Sequence, residues 1–276
     1  MIDGKFWQIG DRRTYLMGVL NVTPDSFSDG GKFDSLERAV CHTAAMLNYI
    51  DILDIGGEST RPGASPVSAT AEINRVVPVI KALRQQGITI PISVDTTKAA
   101  VAQAAIVAGA NVVNDVSAGR FDPEMLPLCA HYQVPVVLMH MQGEPRTMQT
   151  NPQYQDVVSE VKQFLRDAIQ IALACGLERR AIAIDPGIGF GKTLEHNLLL
   201  LRHLREFGEL GCPVLVGVSR KSFIGKLCNQ PDPQRRIFGT AAACSVAIAN
   251  GANILRVHDT AEMHDVAKVA DAIVRG

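Results

Sequence analysis

The sequence predicts a single-domain α/β fold, a closed TIM-type (β/α)8 barrel, and three observations carry that prediction. Short apolar, β-branched runs alternate with helical patterns eight times over 276 residues, about 34 residues per unit. The runs are continuous rather than alternating, as parallel strands buried on both faces are. No linker or shift in composition divides the chain, and crossovers of this length favour right-handed βαβ units, eight of which close into a ring. The competing architecture is an open doubly wound sheet, which usually carries a glycine fingerprint after its first strand. No GxGxxG stands there, and GIGFGK follows the sixth strand instead.

Residues 1–14 precede the repeats as an N-terminal extension, and the barrel domain is expected to fill 1–276. The first run, Tyr15–Leu20, stops at Asn21 and opens into VTPDSFSDGG, a loop with the composition of a turn. An apolar strand that ends on a polar side chain and opens into a Gly-rich loop is how α/β enzymes present chemistry, but taken alone this stretch fits an ordinary strand followed by a surface turn equally well. Ser35–Leu47 has helical spacing, with Ser35 placed to cap it. Ile50–Ile55 is the second strand, followed by GGESTRPGASP. Ala71–Gln86 is helical between Ser68 or Thr70 and Gly87. Pro91–Val94 ends on Asp95, and Ala99–Val107 is a helix closed by Gly109. Asn111–Val113 ends on Asn114 and Asp115, Pro123–Tyr132 is helical, and Val134–Met139 ends on His140.

The polar segment MQGEPRTMQTNPQY then leads to a long helix over Asp156–Ala174, stopped by Gly176. Ala181–Ile184 ends on Asp185 and PGIGFGK, and Leu194–Phe207 is helical. Pro213–Val218 runs into SRKS and a short helix. An Ala-rich helix lies within Pro233–Asn250. Ile254–Val257 is the eighth strand, with Arg256 and His258 at its end, and Thr260–Val274 closes the chain.

Composition excludes several functional classes. With 47% hydrophobic and 20% charged residues and a formal net charge of −1, neither a nucleic-acid face nor a polybasic membrane patch is expected. No apolar run reaches the roughly 18 residues of a membrane span, and MIDGKFWQIGDRR does not read as a signal peptide. Six scattered cysteines without a CxxC pair read as reduced thiols of a cytoplasmic protein and not as a zinc site.

In a barrel every strand points its C-terminal end at one face. Asn21, Asp54, Glu58, Asp95, Asn114, Asp115, His140, Asp185, Lys221, Arg256 and His258 are therefore expected to converge, although any one of them could simply cap a strand end. Arg256 and His258 are two residues apart and share a face. With Asn21 on the adjacent first strand they form a cationic and amide pocket suited to a phosphate, with the Asn oxygen available to a hard metal such as Mg2+. His258 by itself would read as a core histidine. Asp95, Asn114 and Asp185 surround a pocket that matches a flat heterocycle such as a 2-amino-4-oxo pyrimidine, since a carboxylate accepts two N–H bonds from such an edge. Lys221 offers a donor to the ring. Asp185 also fits a plain strand-end cap. SRKS at a helix start suits an anion, either a phosphate or a benzoate-like carboxylate. Loops 23–31 and 58–65 stand on neighbouring strands and could close over the pocket, with Phe27, Arg61 and Pro62 as lid contacts, or be plain surface loops.

MGVLNVTPDSFSDGG, DIGGESTRPG, SVDT, NDVS, VLMHMQGEPRTMQ, DPGIGFGK, GVSRKS and RVHD occur in an order and spacing that resembles dihydropteroate synthase, the bacterial folate-pathway enzyme. The resemblance runs from about Tyr15 to the C-terminus. It implies a TIM-barrel transferase that joins 6-hydroxymethyl-7,8-dihydropterin diphosphate to 4-aminobenzoate and releases diphosphate and 7,8-dihydropteroate. By the same resemblance Asn21 matches the Mg2+ ligand. Asp95, Asn114, Asp185 and Lys221 match the pterin pocket, and Arg256 and His258 the diphosphate site. Thr60 matches a pterin-diphosphate contact on the second loop. Phe27, Arg61, Pro62, Phe190 and Ser222 match the aminobenzoate side, where sulfonamides compete. Asp95, Lys221, Arg256 and His258 are the implied catalytic residues, and a cytoplasmic homodimer without nucleic-acid or membrane partners is the implied state. The segment LNYIDILDIGG departs from relatives that carry a Gly-Ala pair and one more residue, which implies a local adjustment on the bottom side of the barrel. STRPG sets the sequence apart from acquired sulfonamide-insensitive synthases and implies a drug-sensitive enzyme. A corrinoid-linked pterin methyltransferase and a pterin-binding barrel without catalysis are the alternatives.

Overall fold

In the computed structural model, which describes residues 2–3, 6–7, 13–23, 32–59 and 63–276, the apolar runs pair as one parallel sheet. Outside it, β1 (Ile2–Asp3) and β2 (Phe6–Trp7) form a short antiparallel pair. The barrel strands are β3 (Tyr15–Asn21), β4 (Ile52–Gly56), β5 (Ile92–Asp95), β6 (Val112–Asp115), β7 (Val136–Met139), β8 (Ile182–Asp185), β9 (Leu215–Val216) and β10 (Ile254–Val257). Their order is β8-β7-β6-β5-β4-β3-β10-β9. A parallel bridge between Ile184 and Val214, with Ile184 N donating to Pro213 O at 2.9 Å, joins the two ends. First and last strands are neighbours and no strand order reverses, so the open doubly wound alternative is set aside.

The helices between the strands are α1 (Lys32–Met46), α2 (Ala69–Gln85), α3 (Ala99–Ala108), α4 (Met125–Tyr132), α5 (Val157–Ala174), α6 (Leu194–Arg202), α7 (Ser222–Leu227), α8 (Ile237–Ala249) and α9 (Thr260–Val274). Boundaries differ from expectation where local chemistry decides. Asp156 stands outside α5 as its N-cap, accepting from Val158 N and Ser159 N. Helix α1 begins at Lys32, three residues ahead of Ser35, the expected cap position. The pattern reaching Phe207 becomes a 3-10 segment over Leu204–Leu210, and Pro233 opens a separate 3-10 turn capped by Asp232. Strand β9 is only two residues long: Val214 before it forms just the bridge to Ile184, and Gly217 and Val218 after it lie outside the ladder. The departing segment forms the turn below β4, where Ile50 packs on Gly18 so closely that a Cβ there would lie 2.8 Å from Ile50 Cγ2.

Alternation along the strands sorts the side chains. Leu16, Leu20, Leu53, Ile55, Ile92 and Val94 point outward and join the layer shared with the helices. Tyr15, Met17, Ile52, Val112, Val137, Ala183, Leu215 and Ile254 form a separate cluster inside the ring, together with Trp7. The Trp7 indole donates to Ala181 O at 3.2 Å, just ahead of β8, so it stoppers the N-terminal end of the barrel. One or two steps further along the same inner rows, the residues become Asp54, Asp95, Asn114, Asp185 and Arg256. The barrel is thus apolar at one end and charged at the other.

Candidate active site

Four strand ends meet at Arg256. Its Nε donates to Asp54 Oδ2 at 2.6 Å and its Nη2 to Asp95 Oδ2 at 2.7 Å, while Asn114 Nδ2 donates to the same Asp54 oxygen at 3.2 Å. Asp54 is fully buried, and its other oxygen has no hydrogen-bond partner among the described residues. Burial pushes the Asp95 carboxyl up to about 7, against the pull of Arg256 and with the help of Asp54. Burial also opposes the Arg256 charge, but Asp54 and Asp95 outweigh it and raise the guanidinium above its ordinary value.

Beside this network lies a narrow cleft, walled by Val116, Met139, Ile188 and Phe190 and edged by Asp95, Asn114, Asp185, Lys221 and His258. Asp185 Oδ1 accepts Gly187 N at 2.7 Å. Burial raises its pKa to about 6, opposed by that bond and by the charge of Lys221. Burial lowers Lys221 to about 8, and its Nζ sits 4.1 Å from the centroid of the Phe190 ring. Burial, with Arg256 nearby, lowers His258 to about 3, so the ring is neutral. Ser219 Oγ accepts the His258 backbone N–H at 3.2 Å and lies 3.1 Å from Nδ1. Flat apolar walls with acceptors on one edge and an amine on another suit a planar nitrogen heterocycle. A second, wider cavity adjoins the cleft, sharing Asp95 and Val116 and lined further by Lys98, Phe121 and Arg146.

The structure brings together Asp95, Asn114, Asp185, Phe190, Lys221, Arg256 and His258. Asn21 ends β3, the neighbour of β10. Ser222 is the exposed first residue of α7. Phe27, Thr60, Arg61 and Pro62 lie outside the described residues. Three expected strand-end residues do not join the cleft. Asp115 faces away and accepts from Ser117 and Gly119, Glu58 pairs with Lys98, and His140 contacts Lys192. The expected cationic pocket is also corrected. Arg256 is matched by two carboxylates and His258 is uncharged, so the pocket is less positive than the sequence suggests. In SRKS, Arg220 takes a left-handed backbone (φ 60°) and pairs with Asp259, with Nε to Oδ2 at 3.0 Å. Helix α7 is six residues long, which offers little dipole for the expected anion seat. The sequence places Asp54 on the rim and Ser219 in the SRKS anion seat, but it does not show that Asp54 pairs with Arg256 or that Ser219 holds His258.

A hard divalent ion finds one neutral oxygen here, Asn21 Oδ1. Gly56, opposite it, leaves space between Asn21 Oδ1 and Asp95 Oδ2, where a Cβ would lie 3.7 Å from each. Among the described residues no three His, Cys, Asp or Glu side chains group as a metal cage. Mg2+ commonly keeps several waters and takes its other ligands from substrate phosphates, so a single protein oxygen beside open space fits it.

The pterin binding enzyme family matches residues 17–258 of the chain. The dihydropteroate synthase of Synechocystis sp. is 52% identical over 96% of this chain and 91% of its own length. The Clostridium difficile dihydropteroate synthase, crystallised in the presence of pteroic acid, is 44% identical with a TM-score of 0.92, over 98% of this chain and 100% of that one. The Yersinia pestis dihydropteroate synthase in complex with a sulfonamide drug is 42% identical with a TM-score of 0.92, over 100% of this chain and 99% of that one.

Proposed function

We infer the chemistry of this rim from one premise: the chain belongs to the pterin-binding enzymes, and within them to the dihydropteroate synthase family. It is a transferase that joins 6-hydroxymethyl-7,8-dihydropterin diphosphate to 4-aminobenzoate in folate biosynthesis, giving 7,8-dihydropteroate and diphosphate. This membership sets aside the corrinoid-linked alternative. The observation that carries the reading is the cleft in which Asp185, Asn114 and Lys221 edge a flat apolar slot, with Arg256 and His258 at its rim.

In this reading Asp185 accepts from the amino edge of the pterin through the oxygen not committed to Gly187, and Asn114 and Lys221 complete the ring contacts. The resemblance assigns Phe190 and Ser222, with Phe27, Arg61 and Pro62, to aminobenzoate recognition and Thr60 to the pterin diphosphate. Bound Mg2+, held by Asn21, supplies neutralisation of phosphate charge. Arg256 keeps Nη1 outside its bonds to Asp54 and Asp95, and this nitrogen donates to the departing diphosphate, with the His258 ring beside it. Displacement is dissociative: the C–O bond to the diphosphate breaks with its electron pair leaving on oxygen. The electron-rich pterin and the Asp95 carboxylate stabilise the cationic methylene. The aniline nitrogen of aminobenzoate then attacks and loses a proton, so no protein nucleophile is required.

We assign a homodimer contact to the apolar groove between α6, α7 and α8. Leu227, Phe238 and Val246 are exposed on these helices, a large apolar group for a solvent-facing surface. Phe238→Glu is expected to shift the protein from dimer to monomer in sedimentation, and an unchanged dimer overturns the assignment. All six cysteines are free thiols, in keeping with a reducing cytoplasmic compartment, and no described helix is long and apolar enough to cross a membrane. Turnover tests the function itself. Diphosphate release should require both substrates, and a sulfonamide should raise the aminobenzoate KM at constant kcat. No release with both substrates and Mg2+ present overturns the reading.

A further inference from the structure

Lys192, outside the substrate cleft, is a buried cation, 3% exposed. The partners of its ammonium are all neutral. Nζ donates to His140 Nδ1 at 2.9 Å, to Phe190 O at 2.9 Å and to His140 O at 3.5 Å. Burial pulls its pKa down to about 7, as expected of a cation placed among neutral acceptors. A methionine would fill such a space without that penalty, so the amine is best explained by what it holds.

It holds the glycine-rich loop 186–191, which presents Phe190 to the cleft. Three successive carbonyls of this loop are gripped from behind. Gln149 Nε2 donates to Gly189 O at 2.5 Å, Lys192 to Phe190 O, and Tyr154 Oη to Gly191 O at 2.9 Å. The loop also lies directly on the end of β7. A Cβ at Gly187, where φ is +70°, would come within 1.9 Å of His140 O. On the other side, the Phe190 ring carries the Lys221 ammonium at 4.1 Å. The ring is therefore set between a clamped backbone and the amine that faces the substrate.

We propose that Lys192 is a positioning residue for the transfer reaction: by gripping the Phe190 carbonyl and the His140 ring, it fixes the Phe190 ring as the wall against which 4-aminobenzoate is held. The proposal rests on the placement of Phe190 on the aminobenzoate side. A double-mutant cycle tests it, because an effect transmitted through Phe190 disappears when Phe190 is truncated, whereas an independent loss of stability adds. Lys192→Met is expected to raise the aminobenzoate KM about tenfold, with pterin Kd changed less than threefold. In a Phe190→Ala background the same substitution is expected to change that KM less than twofold.

An unchanged aminobenzoate KM for Lys192→Met overturns the proposal, as does an equal fold-change in both backgrounds. An unchanged KM for Phe190→Ala alone overturns the assignment of Phe190, and the proposal with it. Should Lys192→Met fail to fold, the cycle is run with Gln149→Ala, an exposed neighbour in the same clamp. A rise in KM that vanishes in the Phe190→Ala background supports the clamp, and no rise overturns it.

Discussion

Asp185→Asn separates binding from stability, because the two effects carry opposite signs. In the ligand-free protein the carboxylate is 6% exposed, and burial lifts its pKa from an ordinary 3.8 to about 6. A folded-state pKa above the unfolded one means that the folded protein keeps a proton that the unfolded chain releases between about pH 4 and 6. Stability contributed by this group therefore falls as pH rises through that window, and the full cost of the buried charge is present at pH 8. The rise from 3.8 to about 6 corresponds to ~3 kcal/mol. The amide oxygen of Asn can still accept from Gly187 N, so Asp185→Asn should raise the unfolding temperature at pH 8 by about 5 °C. The gain should vanish at pH 4. Pterin binding moves the other way. Losing charge-assisted bonds costs about 1.5–3 kcal/mol, so Kd should rise about ten- to hundredfold at pH 8. Calorimetric titration and scanning calorimetry on the same preparation read both effects. A Kd changed less than threefold, or a variant less stable at pH 8 than the parent, would refute the reasoning.

Arg256→Met leaves Asp54 and Asp95 buried without their cation, which should destabilise the protein by about 3–5 kcal/mol and lower its melting temperature by about 5–9 °C; a loss below about 1 kcal/mol contradicts the network. Because Asp185 and Asp95 are raised to about 6 and about 7, both lose their charge as pH falls. Pterin affinity should weaken from pH 8 to pH 5, and the Asp185→Asn variant should show a flatter profile; an affinity constant over that range removes the carboxylates from recognition. Asn21→Ala should raise the Mg2+ concentration needed for half-maximal turnover while leaving the affinity for a pterin without phosphates unchanged. Equal loss of both would place Asn21 among the ring contacts.

The architecture was legible because periodicity reports burial. Continuous β-branched runs mark strands covered on both faces, and Ile182–Asp185 and Ile254–Val257 emerge almost as their patterns imply. Strand β9 was overread because the apolar run Pro213–Val218 does not show where ladder pairing stops: only Leu215–Val216 pair as a strand. Asp95, Asn114, Asp185, Lys221, Arg256 and His258 were legible for a related reason, as polar residues that terminate apolar runs on one rim. What the sequence did not reveal is pairing across the barrel. Arg256 lies 202 residues from Asp54 and 161 from Asp95, and nothing local says that two carboxylates take up its charge. Arg220 and Lys221 illustrate the same limit. They are adjacent in SRKS, yet a left-handed backbone at Arg220 sends one to Asp259 and the other over Phe190.

The central claim is that the charged end of the barrel reads a pterin ring edge-on while its apolar walls sandwich the plane. A crystal structure with a bound 2-amino-4-oxo pterin tests it most directly. The account predicts the ring between Met139, Ile188 and Phe190, with its amino edge about 3 Å from the Asp185 carboxylate and Asn114 and Lys221 on the same ring. A pterin seated instead in the adjoining cavity beside Lys98 and Phe121, out of reach of Asp185, would contradict it.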